Sequence, residues 1–311
     1  MTLASNAFTS YSAVGNRDDL DDAIYNVAPT NTPFLQAVEW VTATAVLHEW
    51  QRDTLAAAAQ NAQLEGDVVA AAAATATVRL SNTAQIAYKS PRVTGTQEAV
   101  QKAGRTSEMA LQVAKRAKEL KRDMENDLLA NNAEVSGDST TARELGGLPT
   151  WFTTNDSYGT GGAEGGLGNT AVTEGTQRDF TETLLKTTLR QCFNSGGEPD
   201  CIMLNATNKQ VFSTFTGNAT RTIDATKSEL RSNVDVYHSD FGTLEVKANR
   251  FMYTRMIAIL QMDMWAVAML RPFQLSDLAK TGDSIHKLLL IEYTLESREE
   301  AASGAIFDVN T

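Results

Sequence analysis

Two alternating stretches separated by a run of small residues constrain this chain more than any other feature. Across residues 42–55, Val46, His48 and Trp50 fall on one side of an extended strand, and Leu47, Glu49 and Gln51 on the other. Residues 75–93 repeat the alternation with Val78, Leu80, Ile86 and Tyr88. Between them, residues 56–74 are almost all small or uncharged, with Glu65-Gly66-Asp67 at the centre. The pattern predicts a long two-stranded excursion with a small-residue tip. Fourteen extended residues reach about 46 Å at ~3.3 Å each. A lone hairpin of that length is not stable in water, and no obvious helical layer lies nearby in sequence to cover it. The excursion implies a neighbouring surface.

The longest periodic element follows. In residues 106–131, Met109, Val113, Ala117, Leu120, Met124 and Leu128 recur every three or four positions, the period of one helix face. Thr106 or Ser107 can cap it, and Glu108 suits the first turn. Such a helix would be about 39 Å long, with one narrow apolar stripe and heavily charged other faces. The stripe is expected to pack on the strands predicted over residues 287–309.

The remaining chain mixes helices and strands without a βαβ repeat. Residues 1–40 read as a polar arm. Asp18, Asp19, Asp21 and Asp22 form the acidic first turn of a short helix through Leu20, Ile24 and Val27 rather than a metal cluster, and Pro29 to Phe34 breaks any helix. Residues 135–173 are a glycine-rich loop region. Residues 176–194 predict a second amphipathic helix ended by Gly196-Gly197. A buried strand at 201–204 precedes a helix capped by Asn205, and a hairpin turns at Ser239-Asp240-Phe241-Gly242. Strands at 256–261, 266–270, 287–296 and 304–309 complete an α+β chain.

Composition narrows the function. A net charge of −11 opposes a nucleic-acid-coating role, which needs a cationic face. The first residues lack a basic segment followed by an apolar one, so no signal peptide is expected, and 256–270 is too short to span a bilayer. Cys192 and Cys201 form neither a disulfide framework nor a metal-site spacing, which points to a reducing compartment. His48, His238 and His286 lack a second ligand at zinc spacing, so neither metal nor cofactor is expected. His238-Ser239-Asp240 holds triad residue types whose neighbouring side chains point apart. Gly166-x-Gly168-x-x-Ala171 lacks the strand and helix a phosphate cradle needs. Glu299-Glu300 reads as solvated surface. Gly282-Asp283-Ser284 with His286 resembles an esterase block, although in esterases the two parts lie at opposite ends of the domain. A soluble α+β hydrolase using Ser284 and His286 is the alternative from another class; no catalytic constellation is expected.

The order of arm, extended hairpin, long charged helix, α+β domain and returning strands resembles the major capsid protein of tailed bacteriophages, with the HK97-type fold. The similar stretches include Pro29-Thr30-Asn31-Thr32-Pro33-Phe34, Leu47-His48-Glu49-Trp50-Gln51, Gly147-Leu148-Pro149-Thr150-Trp151 and Ser239-Asp240-Phe241-Gly242-Thr243. The resemblance implies an N-terminal arm over 1–40 and an extended loop over 41–93 lying on the adjacent subunit. It implies a peripheral domain from 94–135, with its spine helix, and 284–311. The Gly-rich region would cover 136–172 and an axial domain 173–283. It also implies self-assembly into pentamers and hexamers of an icosahedral head enclosing double-stranded DNA without sequence-specific binding, in a virion made in the host bacterial cytoplasm. Portal, scaffolding or decoration proteins would be partners, and no membrane would be. No scaffold-like coiled coil precedes the arm, so scaffolding would come from a separate chain or be unnecessary. Some relatives crosslink through Lys and Asn, but no spacing here singles out a pair. A cellular nanocompartment shell of the encapsulin type is the structural alternative. Contacts between subunits should centre on aromatic or Arg residues of the limbs: Phe34, Trp40, Trp50 and Arg52, with Glu65 at the tip.

Overall fold

The computed structural model describes residues 31–66, 71, 73–215 and 235–310, and the account below concerns these. The acidic helix expected through Leu20, most of the arm and part of the excursion tip lie outside them. In chain order the first half comprises α1 (Pro33–Ala37), β1 (Glu39–Thr42), β2 (Leu47–Arg52), β3 (Val78–Thr83), β4 (Gln85–Lys89), β5 (Arg92–Thr94), α2 (Gly95–Ala99) and the long helix α3 (Glu108–Leu129). The second half comprises β6 (Asp156–Ser157), α4 (Glu182–Asn194), β7 (Cys201–Leu204), α5 (Ala206–Ser213), β8 (Val236–Ser239), β9 (Gly242–Ala248), β10 (Met256–Leu260), β11 (Trp265–Asp277), β12 (Ser284–Ser297) and β13 (Gly304–Phe307).

Two sheets share one core. The first runs β1-β11-β12-β4, with β5 extending the start of β12. The second is six-stranded, in the order β6-β13-β10-β7-β9-β8. Alternate residues of the second sheet serve different clusters. Met203, Met256, Ala258, Leu260 and Phe307 face the main core. Ile202, Leu204, Ile257, Ile259 and Ile306 pack with Leu185 and Leu189 of α4 and Phe212 of α5. Burial on both faces is why β7, β10 and β13 read as unbroken apolar runs.

The long helix is 22 residues, about 33 Å. Ser107 caps it by accepting from the Ala110 N–H at 3.1 Å. Leu120, Met124, Leu128 and Leu129 are buried beside Ile291, Tyr293 and Leu295 of β12. The expected packing on the late strands therefore holds for Ser284–Ser297. Gly304–Phe307 instead joins the second sheet, with the strands that sequence assigned to the axial segment. Likewise β11, on the axial side of that partition, pairs antiparallel with β12 along most of its length.

Three local expectations are corrected. Pro33 does not end structure; it stands at the first turn of α1, where its missing N–H costs nothing. The hairpin of β2 and β3 is paired only from Leu47↔Thr83 to Arg52↔Val78, because beyond Arg52 small residues offer no cross-strand side-chain pairs. Strand β11 runs past the predicted 266–270 to Asp277. Its register shifts around Arg271, beside Pro272. That proline is tolerated because β1 pairs only with Ala266–Met269, so β11 is an edge beyond it.

Candidate assembly surfaces

The base of the hairpin is fixed to its own subunit. His48, Trp50 and Arg52, alternate residues of β2, share one strand face. His48 Nε2 lies 2.8 Å from Glu296 Oε2. The Trp50 indole donates to the Ser297 carbonyl at 2.7 Å and its ring lies 5.4 Å from that of Trp151. The Arg52 guanidinium lies 3.4 Å from Glu299 and 3.9 Å from Glu300. Across the hairpin, buried Asn82 donates to the carbonyls of Leu295 (2.8 Å) and Gly146 (3.2 Å) and accepts from the Gly146 N–H (2.8 Å). Trp50 and Arg52, expected as anchors on a neighbour, are engaged within the chain. Burial pushes the Glu296 carboxyl up, but its hydrogen bonds with His48 and Arg298 outweigh this and leave it lowered. Glu300, expected as solvated surface, is buried and accepts from the Thr153 and Thr154 hydroxyls.

The excursion itself touches little. Residues 53–66 lie outside any strand and are exposed, with Leu55 98% and Leu64 80% accessible. Glu65 sits at the turn made by Gly66, whose φ of +83° suits glycine.

The arm helix is tied to the long helix by a carboxylate. Glu125, fully buried, accepts from the backbone N–H groups of Phe34 (2.8 Å) and Leu35 (2.9 Å) and from the Asn249 amide (2.6 Å). Burial raises its pKa, against the opposing pull of these three donors. Phe34, expected as a contact between subunits, is completely buried in its own core. Trp40 is 38% exposed, its indole donating to the Leu35 carbonyl at 3.2 Å. It borders a cleft of about 600 Å³ lined also by Leu35, Lys121, Met269, Pro272 and Phe273.

The acids and the lysines of the long helix differ in their partners. Each of its five acids has a partner. Glu108 meets Arg105 and Gln112, and Glu119 meets Arg116 at 2.5 Å. Asp123 pairs with Lys89 at 2.6 Å, Glu125 holds the arm, and Asp127 accepts from Gln85 and Tyr293. Lys115, Lys118 and Lys121 are exposed and form no ion pair among the described residues. Lys121 Nζ lies 6.0 Å from the Phe273 ring centre, at the border of the cleft.

The side chains considered for chemistry are not brought together. The Ser284 hydroxyl donates to the Thr281 carbonyl at 3.3 Å, while His286 Nδ1 faces Arg92. His238 faces Thr243, and the Ser239 hydroxyl donates to the Gly242 carbonyl. Gly168 packs its backbone against Trp151, where a Cβ would stand 2.7 Å from the ring. Burial pushes both cysteine thiols up to about 12. Among the described residues, no group of three His, Cys, Asp or Glu is arranged to hold a metal ion, and no helix is long and apolar enough to cross a membrane.

Sequence missed Glu125 and Asn82, because a polar residue near an apolar stripe reads as surface. The signal was Leu129, which with Leu128 widens the stripe to enclose position 125.

An extended hairpin, a long charged helix, an α+β body and returning strands are the architecture the resemblance implied. The model of the SU10 major capsid protein family matches residues 4–310. The chain belongs to this family. It is 26% identical to the major capsid protein of Escherichia phage Phieco32 over 341 aligned residues, covering 96% of each chain. Among solved structures, it is similar to the Cyanophage A-1(L) capsid asymmetric unit, with TM-score 0.68, 13% identity, and 97% and 99% of the two chains covered. It is also similar to the capsid of a native GTA particle, with TM-score 0.67, 12% identity, and 97% and 98% covered. The SrpI encapsulin of Synechococcus elongatus PCC 7942 is more distant, at TM-score 0.57, 9% identity, and 95% and 93% covered. At such identities the likeness speaks to the fold, the HK97-like capsid fold. Family and fold together make the protein a structural subunit of a phage capsid, a component of the virion that associates with copies of itself.

Proposed function

We propose that copies of this chain form the pentamers and hexamers of an icosahedral head around double-stranded DNA, catalysing no reaction, with the excursion bridging neighbouring subunits. The observation that carries this reading is the contrast along one hairpin. Its base is anchored by His48, Trp50, Arg52 and Asn82, whereas Leu55 and Leu64 beyond it are almost wholly exposed. Large apolar side chains left in water on a projecting limb mark an interaction surface. The chain is made in the cytoplasm of the host bacterium, and portal, scaffolding and decoration functions fall to other chains. A relative's structure contains gp26 decoration proteins beside phage G gp27 major capsid proteins. The acidic balance of the chain suits a shell that does not adhere to the packaged DNA.

The nanocompartment reading is supported only by a shared fold, whereas the family match favours a phage head. The hydrolase reading lacks a base at Ser284. Deleting residues 56–74 tests the proposal. None of the deleted residues that the structure describes lies in a core cluster, so the subunit should keep its circular dichroism spectrum and melting temperature while failing to build shells. Shells of normal size and heat resistance from the deletion variant would overturn the bridging role.

A further inference from the structure

We propose that strand β4 is a joint between capsomers: its open edge pairs antiparallel with β4 of a second copy across a two-fold axis centred on Ala87. The assignment rests on the assembly into pentamers and hexamers proposed above and makes no use of the excursion.

Strand β4 is an unguarded edge. It ends the first sheet, bound to β12 on one side, and among the described residues its other side makes no backbone hydrogen bond. A row of free N–H and C=O groups is a template for a further strand. The other open stretch of that sheet, β11 beyond Met269, is blunted by Pro272 and by shifts of register. Residues 85–89 contain no proline and follow β12 in unbroken register. Gln85 and Lys89 reach Asp127 and Asp123 of the long helix, so Ile86 and Tyr88 point to the opposite face of the sheet. There they are 42% and 62% exposed.

The strand is its own complement. Turned about a two-fold axis at Ala87, Ile86 stands opposite Tyr88 of the second copy, and Tyr88 opposite its Ile86. Two pairs of an aromatic with a β-branched side chain result on one face. On the other face Gln85 meets Lys89, so no like charges are opposed. The flanking registers fail. Centring on Tyr88 sets Pro91 against Gln85. Centring on Ile86 sets Tyr88 against Ala84, which is fully buried and already donates its N–H to the Val46 carbonyl at 2.7 Å. A self-complementary contact of this kind does not join successive subunits of a pentamer or hexamer, whose contacts run head to tail. It falls on the two-fold axes between neighbouring capsomers. Five residues make a weak joint, which a shell strengthens by repetition.

Disulfide trapping in assembled shells tests the joint. Full chains carrying Ile86→Cys or Tyr88→Cys are co-expressed, and the shells are oxidised. Directly opposed positions of an antiparallel pair lie near disulfide reach, whereas position 86 of two copies, or position 88 of two copies, stand diagonally and too far apart. The native Cys192 and Cys201 are buried and stay silent. Covalent dimers are expected from mixed shells and from neither chain alone. In parallel, Ile86→Lys combined with Tyr88→Lys opposes like charges twice at exposed positions. It should leave the melting temperature of the unassembled subunit unchanged and raise the concentration needed for shells about five-fold. Ile86→Glu combined with Tyr88→Lys opposes unlike charges and should stay within about two-fold of wild type. Closed shells that yield no mixed dimers, or a like-charged variant that assembles as wild type does, overturn the joint. So do disulfide adducts of the Tyr88→Cys chain with a different protein, since β4 then serves another partner. If the wild-type chain builds no shells, the assembly reading itself fails, and the joint falls with it.

Discussion

Removing the Glu125 carboxylate should loosen the arm from the long helix before it harms anything else. In Glu125→Ala the Phe34 and Leu35 N–H groups and the Asn249 amide all lose their acceptor, at a site with no exposure to water. An orphaned buried donor costs about 1–3 kcal/mol, so three give an upper range of roughly 3–9 kcal/mol. Two effects reduce it: the side chain's own desolvation, visible in its raised pKa, is relieved, and water can enter the space. A net cost of about 3 kcal/mol follows, or roughly 6–12 °C in melting temperature, read by calorimetry of the unassembled subunit. Glu125→Gln keeps one acceptor oxygen and turns an amide toward donors, so it should fall between. The pH dependence has a definite sign. A carboxyl raised in the folded state contributes stability that is complete below its ordinary range and is lost as pH rises through the folded value. The advantage of wild type over Glu125→Gln should therefore grow on acidification. A Glu125→Ala subunit melting within about 2 °C of wild type would refute the reasoning, since three donors cannot be orphaned without cost.

The hairpin base should respond separately. Asn82→Ala leaves the carbonyl acceptors of Leu295 and Gly146 and the Gly146 N–H without their partner. It should cost about 2 kcal/mol and speed hydrogen exchange across Leu47–Arg52, whereas unchanged protection there would contradict the anchoring. His48→Ala removes one of the bonds that lower Glu296. A lowered carboxyl contributes stability above its ordinary pKa, lost as pH falls through the folded value. The difference in melting temperature between wild type and His48→Ala should thus shrink toward acid pH; a constant difference would count against the pairing.

What the sequence disclosed was set by local periodicity. The stripe of Met109 to Leu128, the caps Ser107 and Asn205, and the apolar run Cys201–Leu204 each carry their structure in neighbouring residues, and each formed as expected. Lengths and partners were harder. Strand β11 is buried on both faces only to Ala268 and then becomes an exposed, proline-bearing edge, so its second half shows no alternation to read. The pairing of Gly304–Phe307 with β10 depends on distant chain that no local pattern encodes. At the candidate surfaces, the exposure of the excursion was legible because small-residue composition is visible in one dimension. The inward commitment of Phe34, Trp50 and Arg52 was not. Whether a limb residue faces its own subunit or another is settled by Glu125, Ser297 and Glu299, which lie roughly 90 or about 247 residues away.

The most direct test is electron microscopy of the purified full-length chain at assembly concentrations, beside the variant lacking residues 56–74. The account predicts closed icosahedral shells built of pentamers and hexamers from the full chain, with density from each subunit's excursion lying on its neighbour, and only unassembled, folded subunits from the variant. A full-length chain that stays monomeric under every assembly condition, or shells in which each excursion folds back on its own subunit, would contradict it.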